Sequence, residues 1–318
     1  MKKVLLATSA LVLTAGAAAA DISLSGSARM GIVHLDPGGD AATSTQFSSR
    51  VRIVFTASGE TDTGLSFGAS TRADQESGND ADLGSSGTTN GDSTVFISGA
   101  FGKLTMGDVS GAADALVGQV SGVGYGPNDD TQEINFIGTI KTALYYEYSA
   151  GALTFGAGIG QMDTDEADTY NVGVKYAADG YSVALAWETA ENPAGPESID
   201  MLSLGASATF GDFTVKARVS DLDVSGIDTA YALSVDYAMG DVTLTAFYTD
   251  YGNSTVVLNP YNQFDEDDES LNDDVKHVGI GAAYNLGGGA TLAGGITRQN
   301  NNNTPDATIA NLGLKFSF

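Results

Sequence analysis

Residues able to do covalent or transition-metal chemistry are few and scattered. The 318 residues include no cysteine and two histidines, His34 and His277, each isolated. A zinc-type site of nitrogen and sulfur ligands therefore has no donor set. Serine is plentiful, but no G-x-S-x-G elbow accompanies either histidine, so a Ser-His-Asp hydrolase has little support. Gly122, Gly124 and Gly126 precede neither a helical pattern nor a lysine, as a phosphate loop would require. Carboxylates are abundant instead. Residues 163–168 (DTDEAD) and the run Asp265, Glu266, Asp267, Asp268, Glu269 could gather Ca²⁺ through oxygen ligands. The first departs from the EF-hand pattern at Ala167, Asp168 and Val174. The expectation for both is a solvated loop, with weak Ca²⁺ binding at 265–269 and divalent bridging to anionic lipopolysaccharide as the functional variant.

The basic residues are more informative. With 40 acidic against 14 basic residues and a net charge of −26, nucleic acid is an unsuitable partner, and so is anionic lipid held by a basic patch. Beyond Lys2 and Lys3, nearly every basic residue sits on the opposite parity from the apolar residues of its own segment. In residues 46–58, Val51, Ile53, Phe55 and Ala57 point one way while Arg50 and Arg52 point the other, because successive strand side chains alternate. Arg29, Arg72, Lys103, Lys141, Lys175, Lys216, Arg218 and Lys315 follow the same rule. Only Lys276 and Arg298 break it, both beside long polar connections.

The elements that carry these residues read as sixteen strands. They begin near Ile22, Phe47, Leu65, Val95, Leu104, Leu144, Leu153, Tyr170, Tyr181, Leu202, Phe213, Tyr231, Val242, Val278, Leu292 and Ala310. Their connections alternate: tight turns such as 99–102, 149–151 and 211–212 occupy every second junction, and longer polar segments such as 73–93 and 108–142 occupy the others. A soluble sandwich has no reason for that regularity. An up-and-down barrel across a membrane does, with short turns on one side, long loops on the other, and an even strand number. Met1–Ala20 has two lysines, an apolar stretch and an Ala-Ala-Ala end, which predicts a cleaved secretory signal followed by one barrel domain at 21–318. In a lipid-spanning barrel the apolar face must look outward, so the charged face lines a lumen. Tyr176, Tyr181, Phe210, Phe213 and Tyr237 beside the short turns then form a ring belt at the headgroups. The chain ends on alternating Ala310, Leu312, Leu314, Phe316 and Phe318, a closing strand.

The stretches ISLSGSARMGI (22–32), SSRVRI (48–53), ETDTGLSFGASTR (60–72), SDLDVSGIDTAYALSVDYAMGDV (220–242) and IANLGLKFSF (309–318) resemble the Gram-negative general diffusion porins of alphaproteobacterial, purple-bacterial type. That resemblance implies an all-β, 16-stranded antiparallel barrel in the outer membrane, a homotrimer, and a third loop folded into the lumen. It also implies that Phe318 is read by the barrel insertion machinery. Independently, residues 108–142 are long for a loop and carry Ala112, Ala113, Leu116, Val117, Val120, Val123, Ile134, Phe136 and Ile137, which must pack on something. A short helix near 111–117 and a bend at 122–127 are expected. The expected constriction sets Arg29, Arg50, Arg52 and Arg72 against Asp108, Asp114, Asp129, Asp130 and Glu133, with Lys103, Lys175, Lys216, Arg218 and Lys315 as further lumen lining. Opposed charges across a narrow gap orient water and dipolar solutes. The implied function is passive diffusion of ions and small hydrophilic solutes with weak cation preference and no cofactor. A solute-specific channel is the nearer alternative; a barrel enzyme or adhesin is more remote.

Overall fold

The structure is a computed structural model that describes residues 21–77, 87–89, 93–126, 131–137, 142–160, 168–191, 198–223, 228–252, 275–302 and 305–318. The leader, Lys141, Asp129, Asp130 and the carboxylate run 265–269 lie outside the described residues. The strands are β1 (Asp21–Asp36), β2 (Ser44–Glu60), β3 (Ser66–Ser77), β4 (Gly87–Thr89), β5 (Thr94–Gly99), β6 (Gly102–Gly107), β7 (Thr142–Ala150), β8 (Leu153–Gly160) and β9 (Asp168–Ala178). They continue as β10 (Tyr181–Glu191), β11 (Ser198–Phe210), β12 (Phe213–Leu222), β13 (Ala230–Met239), β14 (Val242–Asp250), β15 (Val275–Gly287), β16 (Ala290–Asn301) and β17 (Ala307–Ser317). Among the described residues there is one helix, α1, at Ala112–Leu116.

Among the described residues every pairing is antiparallel and joins strands adjacent in the chain, apart from the closing seam and the β3–β5 pair. β4 and β5 both pair with β3, at Asp74–Glu76 and at Ser66–Ser70 respectively, so together they make one stave. Sixteen staves result. The seam joins β1 to β17 from Ser27↔Ser317 to Asp36↔Thr308, and Gly26 and Phe318 exchange backbone bonds of 2.7 and 3.0 Å. Closure leaves no unpaired edge, which hydrocarbon would not tolerate. The tight turns use the left-handed conformation that glycine adopts without strain, as at Gly211 (φ 59°) and Gly240 (φ 62°).

Burial is inverted relative to a soluble protein. Phe55, Leu204, Leu233, Ile280 and Ile296 are exposed on the outer surface, while Ser203, Arg218, Ser234 and Thr249 on the opposite parity are buried. The outward apolar residues therefore face lipid. Tyr176 and Tyr181 lie 6.0 Å apart and Phe213 stacks on Tyr237 at 4.5 Å, all beside the short turns. A second aromatic pair, Tyr231 and Tyr248 at 6.0 Å, marks the other rim, which the sequence reading did not single out. The wall is uneven: β5 and β6 have six residues each. Six residues tilted by ~40° climb only about 15 Å, against an apolar band of about 25 Å.

Leu204→Lys, at the middle of the outward face of β11, is expected to cost about 2–4 kcal/mol. Urea titration of folding into lipid vesicles measures it, and unchanged stability would refute the outward assignment.

Candidate functional site: a loop inside the barrel

The loop from residue 108 to 141 is here called L3; its described residues, 108–126 and 131–137, leave the wall after β6 and run along its inside. Their apolar side chains are as buried as a soluble core: Ala112, Ala113, Leu116, Val120, Val123, Tyr125, Ile134, Phe136 and Ile137. Three patches take them up. Val120 and Ile134 pack on Ala230, Ala232, Tyr251 and Val275; Tyr125 packs with Val33 and Ala293; Ala113 and Phe136 pack on Ala186.

The wall makes room for the loop with inward glycines. A Cβ on Gly31 or Gly313 would come within 2.7 or 2.6 Å of the Tyr125 ring, and one on Gly281 or Gly295 within 2.8 or 2.9 Å of Val123. Gly205 does the same for Val117 at 2.8 Å, and Gly156 and Gly173 each leave 3.1 Å to Leu116. These residues read in the sequence only as strand glycines. The bend at Gly124 (φ 98°) and Gly126 (φ 134°) brings the chain over Arg29, which a Cβ on Gly126 would strike.

Uncharged polar residues at inward positions complete the fastening. Asn171 Oδ1 accepts from Ala112 N at 2.7 Å, opening α1, and Asn311 Oδ1 accepts from Tyr125 N at 3.1 Å. Ser121 N donates to Ser234 Oγ at 2.9 Å and its hydroxyl to Asp236 at 2.6 Å. Thr249 donates to Gln132 O at 3.0 Å, Tyr251 to Thr131 O at 2.7 Å, and His277 Nδ1 meets the same Thr131 carbonyl. Within the loop, Gln119 clamps Ile134 through both its amide atoms, at 2.9 and 3.2 Å.

Arg218 is the centre of this fastening. It is on the inward parity as expected, yet L3 covers it to 2% exposure, so it holds the loop rather than lining open water. Its Nη1 donates to Gln119 Oε1 at 2.6 Å and to Ile134 O, its Nε donates to Ser220 Oγ at 3.1 Å, and its guanidinium lies 3.5 Å over the Phe136 ring. Glu188, Asp114 and Glu133 are the carboxylates close enough to act on its charge. Two of the expected loop acids, Asp114 and Glu133, are thus near Arg218.

The other basic residues gather on the first strands. Arg29 stands directly opposite Arg50 on one side and Lys315 on the other, three cations in a row across β2, β1 and β17. Like charges so placed repel unless carboxylates or anions lie close. Next to this row, Asp74 supplies a carboxylate to Arg52 and Arg72, although its polar surroundings in the sequence mark it as part of a long connection. Strand β3 runs to Ser77, so Asp74 is a strand residue that shares the face of Arg72 two residues before it. Arg52 Nε and Nη2 bond Asp74 at 3.0 and 2.9 Å, and Arg72 Nε lies 3.0 Å from the same carboxylate. The side chains of Arg52 and Arg72 retain 28% and 29% exposure. Lys103 Nζ sits 4.6 Å over the Phe96 ring, Asp108 is exposed at the root of L3, and Lys175 and Lys216 line a cleft of about 300 Å³ beneath it. Among the described residues, the L3 contacts set out above fall on β8–β17 and β1. Arg52, Arg72 and Lys103, on β2, β3 and β6, keep part of their surface open to the lumen.

The arrangement gives two measurable expectations. Arg218→Ala orphans the Gln119 and Ile134 acceptors in a buried place and is expected to cost about 3–5 kcal/mol, with larger and noisier single-channel currents; Arg218→Lys, lacking the planar fork, restores them only in part. Asp74→Asn leaves Arg52 and Arg72 side by side without their shared charge, and the reversal potential in a salt gradient should move toward anions. No movement would remove Asp74 from the lumen field.

Comparison with known proteins agrees with this geometry. The family model described as Gram-negative porin matches residues 7–304. A porin of Rhodobacter capsulatus is 35% identical, over 94% of this chain and all of that protein, and a porin of Fuscovulum blasticum is 30% identical over 74% and 97%. A solved porin structure refined at 1.8 Å superposes with a TM-score of 0.69 at 32% identity, covering 94% of this chain and 100% of that one. A variant of the Rh. blastica porin reaches a TM-score of 0.73 at 23% identity over the same shares, a likeness of fold alone. With its closed sixteen-stave wall, inward loop and matching relatives, this chain belongs to the Gram-negative porin family and to the outer membrane.

Proposed function

We propose that the chain forms a water-filled channel for passive diffusion of ions and small hydrophilic solutes. The observation that carries this reading is the placement of L3: it is fastened to one side of the inner wall while Arg52 and Arg72 on the other side stay part-exposed within a closed barrel. The constriction is assigned to Arg29, Arg50, Arg52 and Arg72 facing carboxylates of L3, with Asp74 added. Of the loop acids, Asp129 and Asp130 follow soonest in the chain after Gly126, where L3 passes Arg29. Charges opposed across that gap order water and orient dipolar solutes, and such a field acts strongly where low-dielectric walls confine it. The reading assigns no catalytic step and no cofactor. The acidic excess, tempered by the arginine wall, gives weak cation preference.

Planar-bilayer recording tests it. Stepwise conductance independent of the solute, with a small cation-positive reversal potential, is expected. Block by one solute at low concentration would favour a solute-specific channel, clear anion preference would overturn the selectivity, and absence of conductance would leave a barrel enzyme or adhesin.

The same reading includes a homotrimer, supported by the low wall at β5 and β6. A stretch climbing about 15 Å cannot by itself cover an apolar band of about 25 Å, and Val95 and Met106 are exposed on its outer face. A second copy would cover it. Because the chain has no cysteine, Val95→Cys gives a single reporter, and oxidation should join copies through β5. The same yield from Leu204→Cys, on a full-length strand, would overturn this placement. Phe318, exposed beside the seam, is assigned as the signal for the insertion machinery.

A further inference from the structure

Beneath L3, on the side of the short turns, the inner wall carries the cleft of about 300 Å³. Its roof is the stretch from Leu116 to Gln119, and its floor comes from β9 to β12. Lys175 stands at one end, on the inward face of β9 after Asn171 and Gly173, both of which meet L3. Lys216 stands at the other end, on β12, two residues before the covered Arg218. Between them Ser182 of β10 pairs with Ser207 of β11, and Ser207 in turn pairs with Lys216. Both lysines are half-buried. In the strand order the cleft lies nearly half the circumference away from Arg52 and Arg72 on β2 and β3.

We infer that this cleft binds a small organic dianion of the dicarboxylate class, with one carboxylate at each lysine and the body of the solute along the two serines. The inference rests on the channel reading, because the lumen is the route to the cleft. The lining sets its sign. In a chain with 40 acidic and 14 basic residues, the cleft is lined by three cations, Lys175, Lys216 and Arg218, and by no carboxylate. Arg218 is committed to L3, but the Lys175 and Lys216 ammoniums and the Ser182 and Ser207 hydroxyls make no hydrogen bond or ion pair among the described residues. On the next strand, Asp236 is two residues from Ser234, the partner of Lys216, and both its oxygens are taken, by Ser121 and Thr245 at 2.6 Å each. Glu188, Asp114 and Glu133 act on Arg218 and do not line the cleft.

The spacing favours two charged ends over one. Lys175 and Lys216 stand on strands three ladder spacings apart, about 14 Å along the wall. A single small ion reaches both only with both stems stretched toward each other, whereas a dianion takes one at each end. Ammoniums are flexible point charges that donate to carboxylate oxygens, and low-dielectric walls concentrate their field. The cleft is a recess under L3, so its occupant lies beside the passage and other solutes still pass.

Equilibrium dialysis of detergent-purified protein against radiolabelled succinate tests the site, with acetate as the single-charge probe. Succinate is expected to bind more tightly than acetate and to be released by added salt, which screens the ammoniums. K175Q/K216Q should weaken succinate binding about tenfold, and K175R/K216R, which keeps both charges, should restore most of it. Ser207→Leu, which fills the floor and leaves both lysines, should weaken it as well. Circular dichroism checks that each variant is folded. Equal binding by wild type and K175Q/K216Q, or equal affinity for acetate and succinate, would overturn the site. Binding at equilibrium needs no conduction. Protein that conducts in a planar bilayer yet holds no succinate therefore overturns this site and leaves the channel, whereas protein that holds succinate without conducting overturns the channel reading.

Discussion

Backbone amides and carbonyls in hydrocarbon have no water to pair with, and each unpaired group costs several kcal/mol. The seam between β1 and β17, finished by Gly26 and Phe318, follows from that constraint. Once the sheet closes, one parity must meet lipid, and a charge at mid-bilayer is expensive on that parity. The basic residues are then forced inward. An interior of this diameter cannot be filled by side chains of the wall alone, which leaves space for water and for a folded loop. Fold, charge placement and pore are thus linked consequences of one solvation rule.

L3 behaves like a small protein core bound to a polar wall. Its apolar residues are buried, yet the surface that receives them is the water-facing side of the barrel. The wall resolves this with glycines for shape and Asn171, Ser234, Thr249, His277 and Asn311 for hydrogen bonds, while Arg218 satisfies loop carbonyls that would otherwise be orphaned. Fastening on one side leaves Arg52, Arg72 and Asp74 toward the remaining passage. The cations differ accordingly: Arg218 is covered and fastens the loop, whereas Arg52 and Arg72 share Asp74 and stay part-exposed.

The barrel was largely legible in the sequence because its signals are periodic and local. Alternation and turn residues place all sixteen staves, and the helix and bend of L3 follow from its apolar content and its glycines. Depth and pairing were less legible. Parity tells which face Arg218 occupies, not that L3 lies on top of it. Asp74 was hidden because residues 73–93 are mostly polar and carry no alternation, so nothing local marks where β3 stops; its bond to Arg52 arises only from register between two strands. The docking glycines carry no chemistry that alternation can detect. Lys276 and Arg298 stood out as exceptions, and only the register of β15 with β16 shows them to be neighbours on the outward face.

The inward glycines give the wall control over the passage from behind the loop. Gly31, Gly156, Gly173, Gly205, Gly281, Gly295 and Gly313 lie against L3, and each sets how closely the loop approaches the staves. A methyl group at one of these places would displace L3 toward the axis by a fraction of its own size, leaving the charges of the constriction chemically unchanged. Aperture and electrostatics are therefore separable traits in this fold. Evolution, or an engineer, can narrow such a channel in small steps through residues that no permeating solute meets.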